Sequence, residues 1–224
     1  MRADRRRKQI AGAALAAATI LPGAAAAADG FETCADPAFL AEEGQSHGAV
    51  CAAASAAGDS LETCGMDLSA PVEIETADSL AAGRDRCLAS YDCTLGRIRI
   101  LAPDLLAGHL PPGDAYAALS VQAAFRSLLA HELVHALIAQ RPGGAALHQV
   151  DEEYIADALE LAALGPDERA AFLAAAGPGG EITLSWSRFA PRRFAAAAWR
   201  HFAAHGCGAV REILAGRFSF QRRR

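Results

Sequence analysis

Two periods divide the chain. Before about residue 110 the regular stretches alternate apolar and polar positions, and beyond it apolar positions recur at helical spacing. Pro71-Val72-Glu73-Ile74-Glu75-Thr76 alternates strictly, and so does Arg97-Ile98-Arg99-Ile100-Leu101. That is the period of a half-buried strand. Val72, Ile74, Ile98 and Ile100 then face inward. Glu73 and Glu75 on one strand, and Arg97 and Arg99 on the other, face outward with opposite charges that an antiparallel pair can use. The expectation is a small antiparallel sheet in which these two strands are neighbours. Ala102-Pro103-Asp104 leads into a loop with Pro111, Pro112 and Gly113. The run from Asp114 to Gln140 then contains no Pro or Gly. Val121, Phe125, Leu128, Leu129, Leu133, Ala136 and Leu137 recur along it at helical spacing, and Asp114 suits its N-cap. Pro142, Gly143 and Gly144 break it. Val150 to Leu161 reads as a second helix, with Asp151 as N-cap and Val150, Tyr154, Ala158 and Leu161 as its apolar stripe. Further helices are expected from Gly165 to about Ala176, from Arg192 to Ala204 and from Ala209 to Leu214. Ile182 to Trp186 carries no decisive pattern. In the cysteine-rich stretch from residue 29 to about 65, Pro37–Glu43 and Ala49–Ala57 read as short helices. The fold class is α+β.

The first 28 residues read as an export signal. Arg5, Arg6, Arg7 and Lys8 form a basic start, Ile10 to Leu21 an apolar core, and Ala26-Ala27-Ala28 a small-residue cleavage site. The core is too short and too weakly apolar for a stable membrane span. Residues 29–224 then form a single domain, with a cysteine-rich part (29–110) holding the sheet and a helical part (111–224). The chain has 21 basic and 26 acidic residues, a net charge of −5. The signal is basic, so the remainder is more acidic still, which argues against nucleic-acid binding. All six cysteines lie after the signal: Cys34, Cys51, Cys64, Cys87, Cys93 and Cys207. An even count behind an export signal reads as disulfides and as a periplasmic or secreted protein. The pairing is open; Cys87–Cys93 is the preferred local bridge, and Cys207 is expected to tie the C-terminal end to the N-terminal part.

The chemistry concentrates in His131-Glu132-Leu133-Val134-His135, an HExxH motif inside the long helix. Histidines at i and i+4 leave one face a turn apart, so two imidazoles reach one metal ion. Glu132 points elsewhere round the helix and can touch a water beside that ion. Zinc takes a third protein ligand and keeps one position open for catalysis. On the second helix, Glu153 and Asp157 stand at i and i+4, a spacing that is ordinarily solvated surface. Glu152 is a rival for the third ligand. The longer signature HExxHxxGxxH is excluded, because Ile138 stands where it needs Gly and Arg141 where it needs His.

Here the chain resembles the gluzincin zinc metallopeptidases, in which a downstream helix carries ExxxD. The resemblance covers about Asp114 to Leu164. It implies Glu153 as third ligand, 18 positions after His135, and Asp157 as the carboxylate that holds His131. Glu152 has Ala156 four residues on and lacks such a partner. The resemblance also implies a zincin-like helical region, one Zn²⁺ per chain, and peptide-bond hydrolysis with Glu132 as general base. The partner is then a peptide or protein substrate. His148, just before the second helix, and Tyr154 within it are the candidates for an extra transition-state donor. His201 and His205 have no glutamate between them and read as surface or inter-helix packing. Trp186 and Trp199 read as core. Two alternatives stand beside the peptidase: a catalytically inactive zincin-like zinc-binding protein, and a metal-free, disulfide-stapled periplasmic interaction protein.

Overall fold

The computed structural model describes residues 30–80, 88–141 and 146–222. The export-signal reading and the breakers Pro142–Gly144 lie outside them. Five strands form one sheet: β1 (Phe31–Thr33), β2 (Phe39–Glu42), β3 (Val72–Ala77), β4 (Ala89–Asp92) and β5 (Arg97–Leu101). Among the described residues there are eight α-helices: α1 (His47–Glu62), α2 (Pro103–His109), α3 (Val121–Ala139), α4 (Gln149–Ala162), α5 (Pro166–Ala176), α6 (Leu184–Phe189), α7 (Pro191–His205) and α8 (Cys207–Leu214). The class is α+β, as expected.

The sheet order is β1-β2-β3-β5-β4. β3 and β5 are neighbours, with Val72, Ile74, Ile98 and Ile100 fully buried. They run parallel, however, and the sheet is mixed rather than antiparallel. β4 turns tightly into β5 and pairs with its outer edge, so β5 is inserted between β3 and β4. The charge pattern holds in either direction. Arg97 Nε and Nη2 lie 2.9 and 2.7 Å from Glu73, its Nη1 lies 3.1 Å from Glu75, and Arg99 Nε lies 3.1 Å from Glu75.

Four further expectations are corrected. Pro37–Glu43 holds strand β2 instead of a helix. Its Phe39, Leu40 and Ala41 are all buried, because a strand flanked on both sides presents a continuous apolar run that period alone cannot tell from a helix. The stretch after Ala102 is helix α2, started by Pro103 at its first position with Asp104 beside it. The run from Asp114 is two pieces. Asp114 accepts the Tyr116 N–H and caps only a short 3-10 turn, Ala115–Ala118. Ser120 accepts the Ala123 N–H and starts α3. Likewise α4 begins after His148, and Asp151 is not its cap. Asp151 is buried, and its carboxylate accepts the Ser219 hydroxyl at 2.7 Å and the Phe220 N–H at 2.8 Å, fastening the C-terminal turn.

α3 is the hub. It packs on α1, α2 and α4 and against β4 and β5, and it is buried on nearly every side, as a helix that is apolar all round must be. α4 bridges it to α7. Two disulfides join Cys34 to Cys51 and Cys64 to Cys207, so Cys207 does tie the C-terminal helices to the N-terminal part. Cys93 is exposed and has no disulfide partner among the described residues. The Cys87–Cys93 bridge falls on Cys87, outside the described residues. Among the described residues no helix is long and apolar enough to cross a membrane.

Candidate metal centre

The crossing of α3 and α4 places three ligand atoms together. His131 and His135, one turn apart on α3, bring their Nε2 atoms to 3.2 Å. From α4, Glu153 Oε2 stands 3.7 Å from His131 Nε2. One ligand atom from each of the three lies within 4.8 Å of the others. A tetrahedral zinc with bonds of about 2.0–2.2 Å sets its ligand atoms about 3.3 Å apart, so the three residues fit such an ion. Glu152 lines the same cleft but stands outside this cluster. A second gathering, Cys34, His47 and Cys51, offers no thiolate because its two sulfurs are bonded to each other.

Glu132 is 8% exposed. Burial pushes its carboxyl up to about 7, while the neighbouring His131 and a backbone hydrogen bond from Tyr91 of β4 pull it back. A carboxylate poised near neutrality, held against the edge strand and next to the ligand cluster, is placed for proton transfer. Burial, and then the charge of His131, push His135 down to about 3, so it is a neutral imidazole with a lone pair for a metal.

Behind the cluster His131 faces two carboxylates. Its Nδ1 lies 3.1 Å from Asp157 Oδ1 and 3.0 Å from Glu160 Oε2. Burial opposes a charge on His131, but these two bonds outweigh it and raise its pKa well above the usual value. The two carboxylates favour a proton at Nδ1, so a metal ion that displaced the other proton would meet the lone pair of Nε2. The two acids differ. Burial raises Asp157 to about 7. Burial works the same way on Glu160, but hydrogen bonds from His131 and Tyr116 prevail and lower it. Glu160 is 1% exposed and accepts the Ser127 hydroxyl at 2.8 Å and the Tyr116 hydroxyl.

Glu160 is the residue beside His131 that sequence reasoning missed. The signal was present: Glu153, Asp157 and Glu160 stand at i, i+4 and i+7, one continuous helix face. His148 is exposed at the head of α4. Tyr154 is buried and engages His201 Nδ1 of α7 at 2.9 Å, so its hydroxyl is spent between helices. His201 stacks on His205, which accords with the packing role expected of that pair.

Two cavities meet at the centre. A cleft of about 500 Å³ runs along Ala89, Ser90 and Tyr91 of β4 and reaches His131, Glu132 and His135. A smaller cavity of about 180 Å³ shares His131, Glu132 and Glu153 with it and continues to Arg192. A third, of about 470 Å³, opens near Arg200 and His201 and holds none of the cluster.

The model of a family described only as a family of unknown function, DUF6639, matches residues 39–223, and the chain belongs to that family. No curated protein matches the chain, and no solved structure does.

Proposed function

We propose that this member of DUF6639 is a zinc-dependent peptidase of gluzincin type, exported to the periplasm or beyond. The observation that carries the reading is the convergence of His131, His135 and Glu153, with Glu132 buried beside them. A zinc ion held by those three residues would act as a Lewis acid toward a water and a substrate carbonyl. Glu132 takes the proton of the attacking water and passes it to the leaving amine. Asp157 and Glu160 hold His131 by its Nδ1. Among the described residues β4 is the outer strand of the sheet, paired only with β5, and its residues line the larger cleft. An extended peptide can add to such an edge by backbone pairing. The two disulfides favour an oxidising compartment.

The test is elemental analysis of the purified mature protein beside three variants, followed by a peptide-library digest. About one zinc per chain is expected in the wild type, and a weakened or lost ion in Glu153→Ala. Glu132→Gln keeps the ion and loses about 10²–10⁴-fold in hydrolysis, and His131→Ala loses both. Full activity in Glu132→Gln rules out this mechanism. Zinc without hydrolysis of any library peptide favours the inactive zinc-binding protein, and failure to take up zinc removes both readings.

A further inference from the structure

We propose that Arg192 anchors the terminal carboxylate of a peptide, so that the enzyme removes a single C-terminal residue. This inference rests on the peptidase reading above. The cluster lies at the junction of two cavities of unequal size. The larger follows the β4 edge and suits an extended chain. The smaller, about 180 Å³, has room for a single residue of modest size. Leu88, Leu128 and Pro191 form part of its wall beside polar groups, and among the described residues Arg192 is the only permanent cation lining it.

Arg192 is built to receive a ligand. Its Nε lies 3.2 and 3.3 Å from the two oxygens of Asp114. Its guanidinium carbon sits 4.1 Å from the centre of the Tyr116 ring. These contacts fix the plane of the group. Among the described residues its two terminal nitrogens make no hydrogen bond, and the side chain remains 28% exposed. A cation present only to offset buried acids would turn that fork onto Glu160. Glu160 instead spends its oxygens on Tyr116, Ser127 and His131. A pinned guanidinium with both ends unspent matches a carboxylate, which it binds in two parallel hydrogen bonds. In the reaction the last C–N bond breaks, water adds its oxygen to the carbonyl carbon and its protons pass to the amine. The products are a free amino acid and a peptide with a new carboxylate.

The experiment uses two peptides of one sequence, ending in leucine, one as the free acid and one as the amide. The zinc-loaded wild type is expected to release leucine from the acid and to act at least about 100-fold more slowly on the amide, as lost pairing of a buried charge implies. Calorimetry with Glu132→Gln gives a readout without turnover: the acid binds more tightly, and adding Arg192→Ala erases the difference while zinc content stays at one per chain. Equal cleavage of both peptides, cleavage at internal bonds only, or an acid preference that survives Arg192→Ala overturns this inference and leaves the peptidase reading standing. No cleavage and no binding of either peptide removes both.

Discussion

Three donors converge on Glu160: the hydroxyls of Tyr116 and Ser127 and the Nδ1 of His131. Tyr116 and Ser127 are themselves buried, so neither has water to fall back on. Glu160→Gln preserves shape and part of the bonding but removes the charge that favours the correct imidazole orientation. Its zinc affinity is expected to fall about 10–100-fold, the usual effect of losing a partner behind a metal-binding histidine. Glu160→Ala should also cost about 2–4 kcal/mol in stability, since it strands buried polar groups. Chelator competition and urea unfolding measure the two effects. Unchanged zinc affinity in Glu160→Gln would mean that Asp157 alone orients His131. The difference between these residues also explains what the sequence revealed. His131, Glu132 and His135 act through one helical turn, so their spacing states their geometry. Glu153 and Asp157 needed a second helix at the right crossing, which the resemblance supplied. Glu160 sits within the run Ala158 to Leu161, and its partners Tyr116 and Ser127 reach it only through tertiary packing. Arg192 reaches the centre only through tertiary packing, and no local pattern marks it.

At the scale of elements, the centre depends on one helix held rigidly between a sheet and a second helix. α3 was legible as a helix because its apolar positions recur all along it, yet its start was displaced. Asp114 and Ser120 are both good caps, and each caps a different turn. The strands show a similar limit. Glu73 and Glu75 complement Arg97 and Arg99 whichever way the strands run, so charge identified the neighbours and not their direction. The register settles the partners: Glu73 lies beside Arg97, and Glu75 beside Arg99. A double-mutant cycle on Glu73 and Arg97 should show a coupling of roughly 0.2–1 kcal/mol, while a cycle on Glu73 and Arg99 should show none. Thermal or urea unfolding of the single and double variants measures both. Coupling of Glu73 to Arg99 alone would mean a different register.

On the scale of the whole molecule, the Cys64–Cys207 bridge spans 143 positions of sequence. It joins the end of α1 to the start of α8, and α2 to α7 lie between. Closing so long a loop lowers the entropy of the unfolded chain, and replacing both cysteines with serine should cost about 2–5 kcal/mol. Denaturant unfolding of Cys64→Ser/Cys207→Ser against the wild type checks this. A loss well below that range would mean that the unfolded chain is already compact. The sequence marked Cys207 as the long-range tie, but six cysteines leave its partner to the packing of α1 and α8.

That same bridge makes α2 through α7 part of one covalent ring, which contains every residue of the candidate metal centre. On the proposed peptidase reading, a copy at high concentration meets other copies of itself, and exposed turns are the first places to be cut. A nick between α3 and α4 would place His131 and His135 on one fragment and Glu153 on the other, and the ring would still hold the fragments together. Nicked protein would run as a single species on a gel until a reductant separated the pieces, and the ligand set would outlast the continuity of its own backbone.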